Sequence, residues 1–110
     1  MDEQTFRRRA DAALQSLNQS LIVAEESADF EVEESNGGIH ISFEDPPGRF
    51  VISPNGAVSQ IWISALSTSF KLDWSDEAND FVLTKTGERM KALMSRLINE
   101  QMGGKEVELK

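Results

Sequence analysis

The feature of this sequence that most constrains its fold is a change of hydrophobic period. From Glu3 to about Val23 the apolar residues Phe6, Ala10, Ala13, Leu14, Leu17 and Leu21 recur at steps of three and four, the repeat of one helical face. From Phe30 the repeat drops to two, as in a half-buried strand. Near Thr86 it becomes helical again, with Met90, Leu93, Met94, Leu97, Ile98 and Met102 on one stripe. Helix, strands, helix leaves two apolar stripes to bury, and one face of one sheet can cover both. The expected fold is α+β: a two-layer sandwich with both helices on the same face of an antiparallel sheet of about six strands. Phe30, Val32, Ile41, Phe43, Ile61 and Ile63 point inward, and the other sheet face is left to solvent.

The turns support this order. Phe30 and Val32 alternate with Glu31 and Glu33, and Ile39, Ile41 and Phe43 alternate with His40, Ser42 and Glu44. Between the two runs Asn36-Gly37-Gly38 supplies residues that tolerate the positive φ of a tight hairpin. Pro46-Pro47-Gly48 ends the second strand, Arg49 to Ser53 forms a third, and Pro54-Asn55-Gly56 breaks it. Ser59 to Ser64, Phe70 to Trp74 and Asp80 to Thr84 read as three more, joined by connections too short for parallel crossovers. The Thr86 hydroxyl is positioned to cap the second helix, and Gly103-Gly104 ends it. Residues Lys105 to Lys110 are either a tail or an extension lying on the core. At 110 residues the chain accommodates a single domain, residues 1–110, with one core.

Charge narrows the function. Nineteen acids against eleven bases give a net charge of -8, which repels a phosphate backbone, so nucleic acid is not an expected partner. No apolar run approaches the ~20 residues that span a bilayer, and no membrane role is expected. Met1-Asp2-Glu3-Gln4-Thr5 is acidic and polar, unlike a secretory signal or transit peptide, so the expected location is cytoplasmic. Cysteine is absent, so a bound metal would be held by oxygen or by the single His40, which favours hard cations. No Ser/His/Asp order and no buried acid/base pair is apparent, and Gly37-Gly38 and Gly103-Gly104 lack the pattern of a phosphate loop. The chain does not read as an enzyme.

The acids are clustered: Glu25, Glu26, Asp29, Glu31, Glu33 and Glu34 fall within ten residues with no base between them. Carboxylates two apart on a strand lie about 7 Å from each other and repel by about 0.6 kcal/mol in water, a strain that a bound cation relieves. The alternative is a solvated face that keeps the protein soluble; either way these acids should be dispensable for folding. His40 belongs on the open sheet face as a surface residue, and Arg7-Arg8-Arg9 fans around the first helix as solvated charge. Met90, Met94 and Met102 are expected in the core. Trp62 stands apart: if Ile61 and Ile63 face the helices, alternation turns Gln60 and Trp62 to the uncovered face, where a large aromatic has no core to join.

The element order, with Asn36-Gly37-Gly38 and with Gln60-Ile61-Trp62-Ile63 in the fourth strand, resembles the frataxin family over roughly Glu3 to Gly103. Phe6, Ala10-Asp11, Leu72-Asp73-Trp74 and Gly87-Glu88 extend the likeness, and the missing presequence is similar to the family's bacterial branch. The resemblance implies an accessory protein of iron–sulfur cluster assembly that binds ferrous or ferric iron weakly and modulates the cysteine desulfurase and scaffold protein. It also implies a monomer, with iron as the agent of any oligomerisation. Carried over by residue, the iron-binding acidic ridge comprises Asp11, Glu25, Asp29, Glu31 and Glu33, with Glu3 and Glu26 nearby. Strand alternation, rather than the resemblance, proposes Trp62 as the anchor that contacts the scaffold or the desulfurase–scaffold pair, with Asn55 and Gln60 supplying nearby polar contacts. The sequence departs from the family at the end of the first helix, where Asn18, Gln19, Ile22 and Val23 stand in place of further carboxylates. A purely protein-binding adaptor of the same machinery, lacking a meaningful metal site, is the competing reading.

Overall fold

The computed structural model describes residues 1–44, 46–104 and 107–110. Helix α1 runs Glu3–Glu25, capped at its start by Asp2, whose side chain accepts from the Thr5 amide at 2.7 Å. Seven strands follow: β1 Phe30–Ser35, β2 Gly38–Glu44, β3 Pro47–Asn55, β4 Gln60–Ala65, β5 Thr68–Ser75, β6 Asp80–Leu83 and β7 Glu88–Arg89, before α2 at Met90–Met102. They form one antiparallel sheet in chain order, so every connection is a hairpin.

Register places the apolar set on one face. Val32 lies opposite Ile41, Ile41 opposite Phe50, Ile39 opposite Ile52, Ile52 opposite Ile63, and Ile61 opposite Leu72. Those residues meet Phe6, Ala10, Leu14, Leu17 and Leu21 of α1 and Met90, Leu93, Met94, Leu97 and Ile98 of α2 in a single core. Both helices therefore cover the same sheet face, as the two stripes require. Among the described residues no polar or charged side chain is fully buried, and no helix is long and apolar enough to cross a membrane.

The hairpin at Asn36-Gly37 takes positive φ at both residues, 51° and 78°, the geometry of a two-residue turn. Gly38 is constrained differently: a Cβ there would lie 2.8 Å from the Ile52 carbonyl oxygen on β3.

Three sequence expectations change. The sheet has seven strands rather than about six, because Glu88 and Arg89 pair with Leu83 and Val82 before the second helix starts. That helix begins at Met90, and Thr86 does not cap it: its hydroxyl donates to Glu88 Oε1 at 2.8 Å and accepts from the Glu88 amide. Pro54 does not end the third strand, because from there β3 pairs only with β4 and a missing amide is tolerated. The open question of the C-terminus also resolves. Val107 and Leu109 are buried, Asn99 exchanges two side-chain hydrogen bonds of 2.9 Å with the Val107 backbone, and Ser20 of α1 donates to the Lys110 carbonyl. Residues 107–110 are a strap across both helices, and Lys105 and Glu106, which the same expectation covered, lie outside the described residues.

Candidate functional site

The seven acids expected to bind metal occupy three regions. Glu3 and Asp11 project from the first half of α1, where Glu3 faces Arg7 at 3.9 Å and both acids line a shallow groove of about 180 Å³. Asp11 also borders a second groove of about 430 Å³ with Gln15, Asn18 and Glu34; the Asn18 Oδ1 is buried there without a hydrogen-bond partner. Glu25 and Glu26 lie at the end of α1. Asp29 precedes β1, and Glu31 and Glu33 alternate outward along it.

Glu25 differs from the expectation of a solvated carboxylate. Its Oε2 accepts from the Val32 amide at 2.7 Å, on the side of β1 that has no neighbouring strand. It covers a donor of the sheet's edge, so it is part of the fold as well as of the acidic surface. On the far side of β1, Asp29 and Glu31 line a groove of about 410 Å³ with Glu44. Glu44 was not singled out from the sequence, although hairpin register exposes it: Phe30 pairs with Phe43, so the next positions out are Asp29 and Glu44. Glu33 sits opposite His40, whose Nδ1 is engaged by the Arg49 guanidinium. Among the described residues no three carboxylate or imidazole groups converge as a preformed metal cage. Chemically this is an open, oxygen-only surface, suited to hard cations that keep most of their waters.

The second candidate surface is the uncovered sheet face. Trp62 is 37 % exposed there, and its indole Nε1 donates to Gln60 Oε1 at 2.9 Å. Gln60 in turn donates to Asp73 Oδ1 at 3.0 Å, and the Thr84 hydroxyl donates to Asp73 Oδ2 at 3.1 Å. Lys71 lies opposite Trp62 in register, its Nζ 5.0 Å from the ring centroid. The indole is thus held by a chain of hydrogen bonds and flanked by a cation, so little rotamer freedom remains to it. Asn55 is committed locally, its Oδ1 accepting from the Ala57 amide at 3.1 Å to shape the β3–β4 turn. No sequence signal ties Lys71, Asp73 and Thr84 to Trp62, although Asp73 belongs to the Leu72-Asp73-Trp74 likeness; the β4–β5 register is what places the first two beside it.

Comparison with known proteins agrees with this architecture. The profile of the frataxin-like domain matches residues 1–104. An iron-sulfur cluster assembly protein CyaY from Stutzerimonas stutzeri is 26 % identical over 103 residues, covering 94 % of this chain and 91 % of its own. The protein of the same name from Pseudomonas entomophila is 27 % identical over 105 residues, covering 96 % and 93 %. Among solved structures, frataxin from Psychromonas ingrahamii superposes with a TM-score of 0.82 at 18 % identity, covering 100 % of this chain and 99 % of that one. With the helix–sheet–helix order matched from end to end, the chain belongs to the frataxin-like domain family and resembles its bacterial CyaY members.

Proposed function

We propose that this protein is an accessory, regulatory component of iron–sulfur cluster assembly that works by contact: it docks on the cysteine desulfurase and its scaffold protein and takes up iron weakly as cargo. Family membership and the names of its relatives support the process. The observation that carries the mode of action is the carboxylate edge formed by Asp29, Glu31 and Glu44 around one groove, with Glu33 beside it on the same strand. Four like charges at one exposed edge attract a basic partner patch over a Debye length and give iron weak, exchangeable oxygen ligands. Glu26, Glu3 and Asp11 extend the same sign of charge along α1, and Trp62 with Gln60 and Asn55 supplies the second contact on the open sheet face.

A second reading, an adaptor that binds protein without meaningful iron binding, draws on the end of α1. Ile22 is 46 % and Val23 68 % exposed there, and Glu25 is engaged at the Val32 amide. An apolar helix end suits protein contact better than metal.

The experiment is a ferrous iron titration under anaerobic conditions followed by backbone NMR, paired with titration against the desulfurase–scaffold complex at low and physiological salt. The combined Glu26→Lys, Asp29→Lys, Glu31→Lys and Glu33→Lys variant should stay folded, since exposed carboxylates contribute little to stability. It should lose both the iron-induced shifts and complex formation. Wild-type docking should weaken markedly as salt rises. Salt-sensitive docking without iron-induced shifts selects the adaptor; salt-independent docking removes the carboxylate edge as the docking surface.

A further inference from the structure

The charge of the molecule is not evenly spread, and one groove is basic where the surface as a whole is acidic. It runs between α1, the β5–β6 turn and the start of α2, encloses about 620 Å³, and is bordered by Arg8, Arg9 and Lys91, with Asp80 as its one carboxylate. Three cations against one anion leave it formally +2 on a protein of net charge -8. The grooves described above are negative: Asp29, Glu31 and Glu44 line one, Asp11 and Glu34 another, and Glu3, Asp11 and Arg7 the third.

The three basic residues form no ion pair among the described residues, although Arg8 adds to the Thr5 amide in holding the Asp2 carboxyl below its ordinary value. Among the described residues the ion pairs are Arg7 with Glu3 and Arg96 with Glu88 and Glu100; Arg8, Arg9 and Lys91 form none. The Arg7-Arg8-Arg9 run, expected to be uniformly solvated, is divided by the helix. Arg7 faces the Glu3 side, while Arg8 and Arg9 turn into the groove. Arg9 is half-buried, its guanidinium carbon 4.3 Å from the centroid of the Trp74 ring. Trp74 is fixed in turn by an edge contact to Phe81 at 5.2 Å and by its Nε1 donating to Asp76 Oδ1 at 2.8 Å. Asp80 is occupied too, accepting from the Phe81 amide at 2.7 Å. A guanidinium stacked on an indole is presented rigidly while its N–H edges stay available, the arrangement suited to bidentate recognition of an oxyanion.

We infer that this groove is an anion-binding site for a small phosphate-bearing molecule, separate from the acidic edge and from the Trp62 face. A groove of about 620 Å³ has room for a small molecule, as the acidic grooves do, so its charge and not its size selects the ligand. Two guanidiniums and one ammonium line it, and Thr5, Ser16 and Asn79 add neutral donors. The start of α2 also borders it, through Met90 and Lys91, and Arg89 at the cap position supplies no side-chain acceptor to the first-turn amides. That end of the helix adds positive potential to the site the three cations already define. The inference requires neither iron binding nor docking on the assembly enzymes.

The test uses inorganic pyrophosphate as probe, titrated into metal-free full-length protein in a Trp62→Phe background, so that Trp74 is the only indole reporter. Backbone NMR of Lys91 and Asn79 gives a second readout. The expected result is saturable binding that changes Trp74 emission, shifts the Lys91 and Asn79 amides, and weakens roughly fivefold in each of Arg8→Gln, Arg9→Gln and Lys91→Gln. Arg7→Gln, on the opposite side of the helix, should leave it unchanged. Thermal unfolding checks that each variant folds; if Arg9→Gln does not, Arg8→Gln and Lys91→Gln decide the matter. Binding that never saturates, or that weakens equally in Arg7→Gln, overturns the site. A hexaglutamate peptide binding more tightly than pyrophosphate overturns the small-molecule assignment in favour of an acidic protein segment.

Discussion

Glu25 shows how a charged residue can belong to both fold and surface. β1 is an edge strand, and the Val32 amide on its outer side would otherwise be an unpaired donor facing other chains. Glu25→Ala removes that cover and a charge-assisted hydrogen bond, so it should cost about 1 kcal/mol in urea unfolding and speed aggregation of concentrated protein. Glu26→Ala, at the helix terminus next to it, should do neither. The Glu88–Arg96 pair makes a separate prediction. Arg96 donates through Nε and Nη2 to the two carboxylate oxygens at 2.8 and 3.0 Å, which holds the Glu88 carboxyl below its usual range; partial burial opposes this and the Thr86 hydroxyl adds to it. A depressed acid stabilises the fold above its unfolded-state pKa and loses that contribution as pH falls through the folded value. The destabilisation caused by Arg96→Gln should therefore be present at neutral pH and fade below about pH 4.3. With Arg96 42 % exposed, solvent screening keeps it to about 1 kcal/mol or less.

At the level of elements, what the sequence disclosed was what repeats. The α1 stripe, the strand alternation and the Asn36-Gly37 turn are periodic or local signals, and the structure reproduces them with ends moved by a residue or two. What it concealed depends on pairings that follow no local repeat, whether the partner is five residues away or sixty-five. Glu88 and Arg89 become a strand because β6 offers an edge to pair with, which no helix-cap rule detects. Glu25 meets Val32, and Arg9 meets Trp74, only after the chain has folded back. The acidic surface was legible as composition, but its grouping into separate regions, and the part Glu44 plays in one of them, required the register. The C-terminal strap belongs with the concealed features, since Val107 and Leu109 are two apolar residues without a pattern. They are nevertheless buried, and burying a Val or Leu side chain stabilises by about 1.5–3 kcal/mol. A chain ending at Glu106 should lose about 3 kcal/mol and unfold some 10 °C or more earlier by calorimetry, while keeping its helical and sheet signals. An unchanged midpoint would mean that the strap contributes no net stability.

The whole molecule is a single core faced by three surfaces of different chemistry: a carboxylate edge along β1 and the outer side of α1, a polar sheet face centred on Trp62, and a basic groove beside α2. Helices on one side only leave the sheet's other face uncovered, and this makes an anchored indole available to a partner. Trp62→Ala separates docking from folding because Trp62 sits outside the core and its neighbours Gln60 and Lys71 reach solvent. The most direct measurement is therefore the titration of wild-type and Trp62→Ala protein against the assembled desulfurase–scaffold complex, with thermal unfolding of both. The proposed function predicts that the variant unfolds within a few degrees of wild type, a change of about 0.5 kcal/mol, and binds about thirtyfold more weakly, as loss of a 2 kcal/mol interfacial anchor requires. A variant that unfolds many degrees early yet binds normally once folded would contradict it.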